Sequence, residues 1–200
     1  MDTLKAEKRD LQVKAKKLRR EGYVTGNIIG REIEGSIPVK FRAQEAERVF
    51  RAKKKGSQIC LDVEGQKMNV LIKEIHYNAM KNQYDEIDFQ ALVSDEKVHS
   101  VAEIVLVNHD KVMEGIVQLV LEEISYSALP SALVETIEID VGQMKPGDSV
   151  KVADLPIASN PDIDLNTSRD AVVLLVTEPH NSALPEEDTS EEESGKSGEK

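Results

Sequence analysis

Apolar positions along this chain fall in short alternating runs more often than in helical ones. Thr3 to Arg9 sets Leu4 and Ala6 against Lys5 and Glu7, as a half-buried strand does. Gln12 to Glu21 has only two large apolar residues, Val13 and Leu18, and is closed by Gly22, which suits a helix C-cap. This predicts a short helix or ordered loop held at two points. Asn27–Gly30 and Ser36–Val39 predict short strands about a turn. Arg42 to Lys55 predicts the clearest helix, with Ala46, Val49, Phe50 and Lys53 on one face and Gly56 ending it. Gln58–Val63 and Gln66–Ile75 flank a Glu64-Gly65 turn and predict a hairpin. Glu86 to Leu92 supplies a further strand.

Beyond Leu92 the texture changes. Val98–Val107, Ile116–Tyr126, Glu135–Val141, Ser149–Leu155 and Ala171–Thr177 are rich in β-branched residues and predict strands. Turn signals such as Pro146-Gly147-Asp148 and Asn160-Pro161-Asp162 separate them. Ala132–Glu135 predicts one helical turn. From Asn181 onward Glu, Ser, Gly and Lys leave almost nothing to bury, which predicts a disordered acidic tail. The fold class is α+β, mainly β, divided at Val93–Lys97 into residues 1–92, 93–180 and the tail 181–200.

The chain of 200 residues has a net charge of −11, which alone argues against a nucleic-acid partner. The distribution changes that picture. Residues 1–92 carry 19 Lys and Arg against 14 Asp and Glu, a net +5. Residues 93–178 carry 5 against 16, and residues 179–200 carry 2 against 7. A basic module joined to an acidic one fits this asymmetry. Met1 opens on a polar stretch without an apolar leader region, and Ala171–Val176 is too short to span a bilayer. A cytoplasmic protein is expected.

Little in the chain supports catalysis. His76, His99, His109 and His180 show none of the close spacings of a zinc site, so no metal is expected. Cys60, between Ile59 and Leu61 in a predicted strand, is expected to be buried rather than reactive. There is no GxGxxG, P-loop or GxSxG motif, and no cofactor is implied. An enzyme is not expected.

Lys14, Lys16, Lys17, Arg19 and Arg20 form the one constellation with chemical force. Five cations within seven residues repel unless solvated or matched by anions, and phosphates are the obvious match. On charge alone, a solvated face and a nucleic-acid contact stay equally open. Lys53-Lys54-Lys55 ends a predicted helix, where the helix dipole is sufficient explanation. Three Phe, four Tyr and no Trp make a poor set of stacking platforms for single strands. Recognition of a structured RNA through its backbone and groove shape fits better.

The order of segments resembles bacterial large-subunit ribosomal protein twenty-five. Ala6-Glu-Lys-Arg9, Leu18-Arg-Arg-Glu-Gly22, Gly30, Ile37-Pro-Val39, the hairpin and Ile87-Asp-Phe89 carry the likeness. Val105-Leu-Val107, Glu114-Gly115, Glu123-Ile124, Leu129-Pro130, Ile137–Val141, Gly147-Asp-Ser149, Val152–Leu155 and Val172-Val173 extend it to the long, two-domain form, the general stress protein Ctc. The resemblance implies a small β-barrel with flanking helices that binds 5S rRNA, a mainly β second domain, and a place at the central protuberance of the large (50S) subunit. It carries RNA contacts onto Arg9, Lys14, Lys16, Lys17 and Arg19, with Arg20 adjacent. It also makes Asp88 the acidic member of a His-x-Asp motif.

The chain departs from the family pattern at several places. Ile29 stands where a tyrosine is usual, and Glu86 replaces the histidine of His-x-Asp. Val24-Thr25-Gly26 replaces Val-Pro-Ala, and His76 replaces a glutamine. A carboxylate in place of a histidine near phosphate removes a donor and adds repulsion. Tyr77, Asn78 and Lys81 are candidates for substitute contacts. The acidic half suits the basic surfaces of neighbouring ribosomal proteins. The rival expectation is a stress-related protein of the same fold that acts through protein contacts with weakened RNA binding.

Overall fold

Gln58–Val63 (β4) alternates half-buried and buried positions without a break, so that Ile59, Leu61 and Val63 point into one core while Cys60 faces out. Alternation of this kind builds the first half of a computed structural model that describes residues 3–111 and 115–178. Its other elements are β1 (Thr3–Lys8), α1 (Ala15–Arg20), β2 (Tyr23–Ile29), β3 (Ser36–Arg42), α2 (Ala43–Phe50), β5 (Gln66–Asn78) and β6 (Gln83–Ala91). The strands close into a barrel in the order β1-β3-β2-β6-β5-β4. Parallel pairing of β1 with β4, Leu4 opposite Leu61 and Ala6 opposite Val63, seals the seam. A closed barrel leaves no edge strand. Phe41, Phe50 and Phe89 fill its centre with ring centroids 6.1–6.2 Å apart.

The fold is mainly β, as the sequence predicts, and several elements differ in extent. The helix expected over Arg42–Lys55 ends at Phe50, although Ala46, Val49 and Phe50 do form its buried face. Lys53 leaves that face because its ammonium is drawn to Glu135. The helix expected over Gln12–Glu21 begins only at Ala15, and Gly22 takes φ 84° to turn the chain into β2. Cys60 is half-buried rather than buried, since it sits on the outward phase of β4.

The second half has its own core, built around Ile124, Tyr126, Val152, Val173 and Leu174. Its strands are β7 (Val98–Val107), β8 (Ile116–Leu119), β9 (Glu123–Ala128), β10 (Thr136–Asp140), β11 (Ser149–Lys151), β12 (Ile163–Leu165) and β13 (Val172–Thr177). They form two sheets, ordered β10-β7-β9-β12 and β11-β13-β8. The single strand expected over Ile116–Tyr126 is therefore two, one in each sheet. The backbone breaks where the N–H groups of Val120 and Leu121 both bond to the Val173 carbonyl. No Gly, Pro or Asn marks that crossing, so the apolar run conceals it. Ser149–Leu155 likewise stops as a strand at Lys151 and continues as a 3-10 turn over Val152–Asp154. The turn expected at Ala132–Glu135 lies earlier, at Pro130–Ala132, and β12, an Ile-Asp-Leu alternation of only three residues, lies outside the expected strands. The acidic tail falls outside the described residues.

Tyr126 shows how this core is fixed. Its hydroxyl donates to the Val134 carbonyl and accepts from the Val134 N–H, both at 2.8 Å. Tyr126→Phe strands the two half-buried backbone groups of Val134 and is expected to cost about 2 kcal/mol. A fall in melting temperature of roughly 4–8 °C would register it; an unchanged midpoint would remove this role from the hydroxyl.

The two halves meet through ions. Lys53 pairs with Glu135 at 2.8 Å, Lys55 with Glu123 at 3.3 Å, and Lys54 with Glu103. Glu103 lies opposite Glu123 across β7 and β9, and its N–H bonds to the Glu135 carbonyl. Three carboxylates thus stand side by side, where they would repel without the lysines. The helix dipole is not what holds this basic run, because all three lysines lie beyond the last turn of α2. Gly56 follows directly with φ 85° and abuts the Val101 carbonyl.

Candidate nucleic-acid interface

α1 is short, and two residues hold it. Leu18 is buried, and Arg19 reaches β6, where its Nε donates to the Asp85 carbonyl at 3.0 Å. That carbonyl is available because of a bulge. His76 pairs with Glu86 and Tyr77 with Tyr84, so Asp85 is an extra residue with no partner on β5. Thr25 Oγ1 donates to the same carbonyl at 3.3 Å. The Arg19 guanidinium also lies 3.9 Å from carboxylate oxygens of Asp85 and Glu86. Arg19 is therefore half-buried and turned inward, unlike the other cations.

With α1 fixed, Lys16, Lys17 and Arg20 project into solvent, as does Lys14 at its N-terminus. Lys17 has Glu21 at 3.9 Å, an exposed pair worth little. Among the described residues, no carboxylate pairs with Lys14, Lys16 or Arg20. Lys16, Arg19 and Arg20 share an open depression of about 470 Å³ with Lys81, Gln83 and Asp85. The structure thus joins Lys81, from the β5–β6 hairpin tip, to the α1 cations. Tyr77 lines a different recess, with Phe50, Arg51 and Tyr84, and packs against Tyr84 with ring centroids 5.1 Å apart and planes tilted by 59°. Burial, and then neighbouring Tyr77 and Glu47, push the Tyr84 phenol above the usual tyrosine range.

Arg9 and Asp88 lie farther along the outer barrel surface. The Arg9 N–H bonds to the Pro38 carbonyl, Pro38 is opposite Asn27, Asn27 opposite Asp88, and Asp88 opposite Glu74. One row of the sheet therefore runs from Arg9 to Glu74. Within it Asn27 Nδ2 donates to Asp88 at 3.1 Å. The Arg9 guanidinium donates to the Val13 carbonyl at 3.3 Å, which ties the loop before α1 to this row. Asn78 donates to the Asp85 carboxylate at 3.3 Å, and is thereby committed within the protein.

Spacing in the sequence does not reveal two features of this surface. Asn27 is one, although its outward phase on β2 beside Asp88 would expose it once the barrel order is known. The other is the meeting of Glu74, His76 and Asp88, whose ligand atoms all lie within 4.8 Å of one another. Ile29 is 54% exposed on the same strand as Asn27. Replacing Arg19 by Gln is expected to loosen α1 without unfolding the barrel. Faster amide exchange confined to residues 15–20 would show this, and unchanged exchange would show that Leu18 suffices.

Residues 4–89 match the Ribosomal L25p family, and residues 97–180 match the C-terminal domain of ribosomal protein TL5. A large ribosomal subunit protein bL25 from Bacillus pumilus is 30% identical over 196 residues, covering 96% of this chain and 93% of the relative. The chain belongs to the bL25 family. The bL25 of Exiguobacterium sibiricum is 32% identical over 180 residues, covering 88% of this chain and 79% of its own. That of Methylobacillus flagellatus is 30% identical over 190 residues, with 90% and 91% covered. The family is one of structural ribosomal proteins and not of enzymes. The two matches together mark the long form, as the ordered segments of the sequence imply.

Proposed function

We propose that this bL25-family protein binds 5S rRNA as a structural component of the large ribosomal subunit, at its central protuberance. One observation supports this above others: α1 is clamped by Leu18 and Arg19 while Lys14, Lys16, Lys17 and Arg20 face solvent. Long cationic side chains on a fixed helix lose less freedom on gripping phosphates than they would on a mobile loop. Lys81 extends this grip from the hairpin tip, and Arg9 from the far end of the barrel row. Asp88, with one oxygen taken by Asn27, keeps acceptor capacity for a base amino group or a 2′-hydroxyl. Arg19 acts by positioning α1, and Tyr77 contacts RNA only where the RNA passes the Tyr84 side of the hairpin. The division at residues 92 and 93 assigns RNA to the basic domain and neighbouring ribosomal proteins to the acidic one. Such a protein works in the cytoplasm, on the ribosome.

A titration with purified 5S rRNA, with tRNA as competitor, tests this directly. Tight binding that tRNA fails to displace is the expected result. Equal displacement by tRNA would reduce the surface to a general polyanion binder. Ile29 and Glu86, both on the proposed contact face, favour the second reading of a Ctc-type stress protein acting through protein contacts. Absence from the 50S fraction on sedimentation at low salt would decide for it.

A further inference from the structure

A small recess of about 240 Å³ opens where the barrel meets the second domain. Lys55 and Lys73 line it from the barrel, His99 and Asn166 from the other side. Lys73 reaches it through a bulge. Ile72 pairs with Phe89 and Glu74 with Asp88, so Lys73 is an extra residue outside the β5–β6 ladder. Bulges of this kind re-aim a side chain. The Lys73 ammonium donates to the His99 carbonyl at 2.8 Å, which leaves two of its N–H groups uncommitted. Among the described residues no carboxylate pairs with it, whereas Lys55 has Glu123. Burial, and then the nearby Lys55 ammonium, hold Lys73 below the usual lysine range. A partly desolvated cation beside a second cation is costly unless an anion completes the set.

The second domain presents compatible groups. His99 Nδ1 lies 2.7 Å from Ser127 Oγ and 3.2 Å from Asn166 Nδ2. Asn166 Nδ2 also donates to Ser127 Oγ at 3.1 Å, which leaves the Ser127 proton for Nδ1; this network assigns the acceptor role to Nδ1 and the ring proton to Nε2. Ser100, also lining the recess, is buried.

We propose that this recess is a binding site for a phosphoryl group, held between Lys73 and Lys55 of the barrel and His99 of the second domain, with Asn166 positioning the imidazole. Two sources share that chemistry, free phosphate and the phosphodiester backbone of a bound RNA. Either would bridge the two domains and supply Lys73 with the counter-ion it lacks. The site stands apart from α1, and only its RNA source rests on the function proposed above.

The experiment follows backbone and histidine resonances of the isotopically labelled full chain. Inorganic phosphate replaces chloride at constant ionic strength. Saturable shifts at Gly56, His99 and Asn166 are the expected result. Lys73→Gln weakens that response about 10-fold or more, the equivalent of one charge-assisted hydrogen bond. The same variant keeps or raises the melting temperature, since it removes a poorly solvated charge. Adding 5S rRNA then separates the sources. Loss of the phosphate response in the complex, with RNA shifting the same signals, identifies the backbone; a persisting response identifies the free anion. A variant with Lys16, Lys17 and Arg20 reversed retains the phosphate response, which keeps failure here distinct from failure at α1. Shifts that never saturate, or that are the same with Lys73→Gln, overturn the proposal.

Discussion

Reversing Lys16, Lys17 and Arg20 together to glutamate is expected to lower the affinity for 5S rRNA by roughly 10³-fold or more near 0.1 M salt. Each of the three projects from a helix that is anchored elsewhere, so the barrel is expected to melt at its ordinary temperature. Arg19 is left intact for that reason, because reversing it would set a carboxylate against Asp85 and Glu86 and unseat α1. The wild-type chain should also lose roughly 500-fold in affinity between 50 and 200 mM salt if about five phosphates are engaged. In a neutral Gln triple at the same positions the salt slope should fall by about three. A gel-shift titration across four salt concentrations checks both statements. Unchanged affinity in a folded variant would take RNA binding away from α1.

Gly56→Ala is expected to destabilise the chain by about 3 kcal/mol, combining a left-handed backbone with a collision. A Cβ there would lie 2.1 Å from the Val101 carbonyl oxygen and 3.2 Å from Ser100 Oγ. Neither can retreat easily, since Val101 belongs to β7 and Ser100 is buried. Gly65 supplies the control. It has φ 91° with nothing within 4 Å, so Gly65→Ala carries only the conformational cost, about 1 kcal/mol. Thermal unfolding orders the two variants. Limited proteolysis at residues 93–97 reports whether Gly56→Ala also parts the domains and exposes the linker. Equal destabilisation by the two variants would mean that the junction yields to accommodate a methyl group.

Strands of both domains were legible in the sequence wherever one face is buried and the other wet. Gln58–Val63 and Val98–Val107 coincide with β4 and β7 for this reason. The alternation fails where the chain changes sheets, as at Val120–Glu122, because both sides of the crossing bury apolar residues. It fails also where an ion pair, and not packing, sets the path, as at Lys53–Lys55. At the candidate interface the cations of residues 14–20 stand out locally, but their standing as anchors or contacts does not. Only the bulge at Asp85 separates Arg19 from Arg20, and a bulge is a property of paired strands. The recess at Lys73 is hidden in the same way, since its four polar groups come from positions 55 to 166.

The anchoring of α1 on Asp85 has a consequence for how the protein is made. The cations are translated by residue 20, but the carbonyl that fixes them belongs to residue 85. At bacterial elongation speeds of about 5–20 residues per second, several seconds separate the two. During that interval the nascent chain carries a positive segment with no scaffold beneath it. β2 awaits its parallel neighbour β6 over the same interval. On the function proposed above, a high-affinity grip on RNA is expected only once the barrel is complete, so that translation order itself would protect a half-made chain from premature assembly.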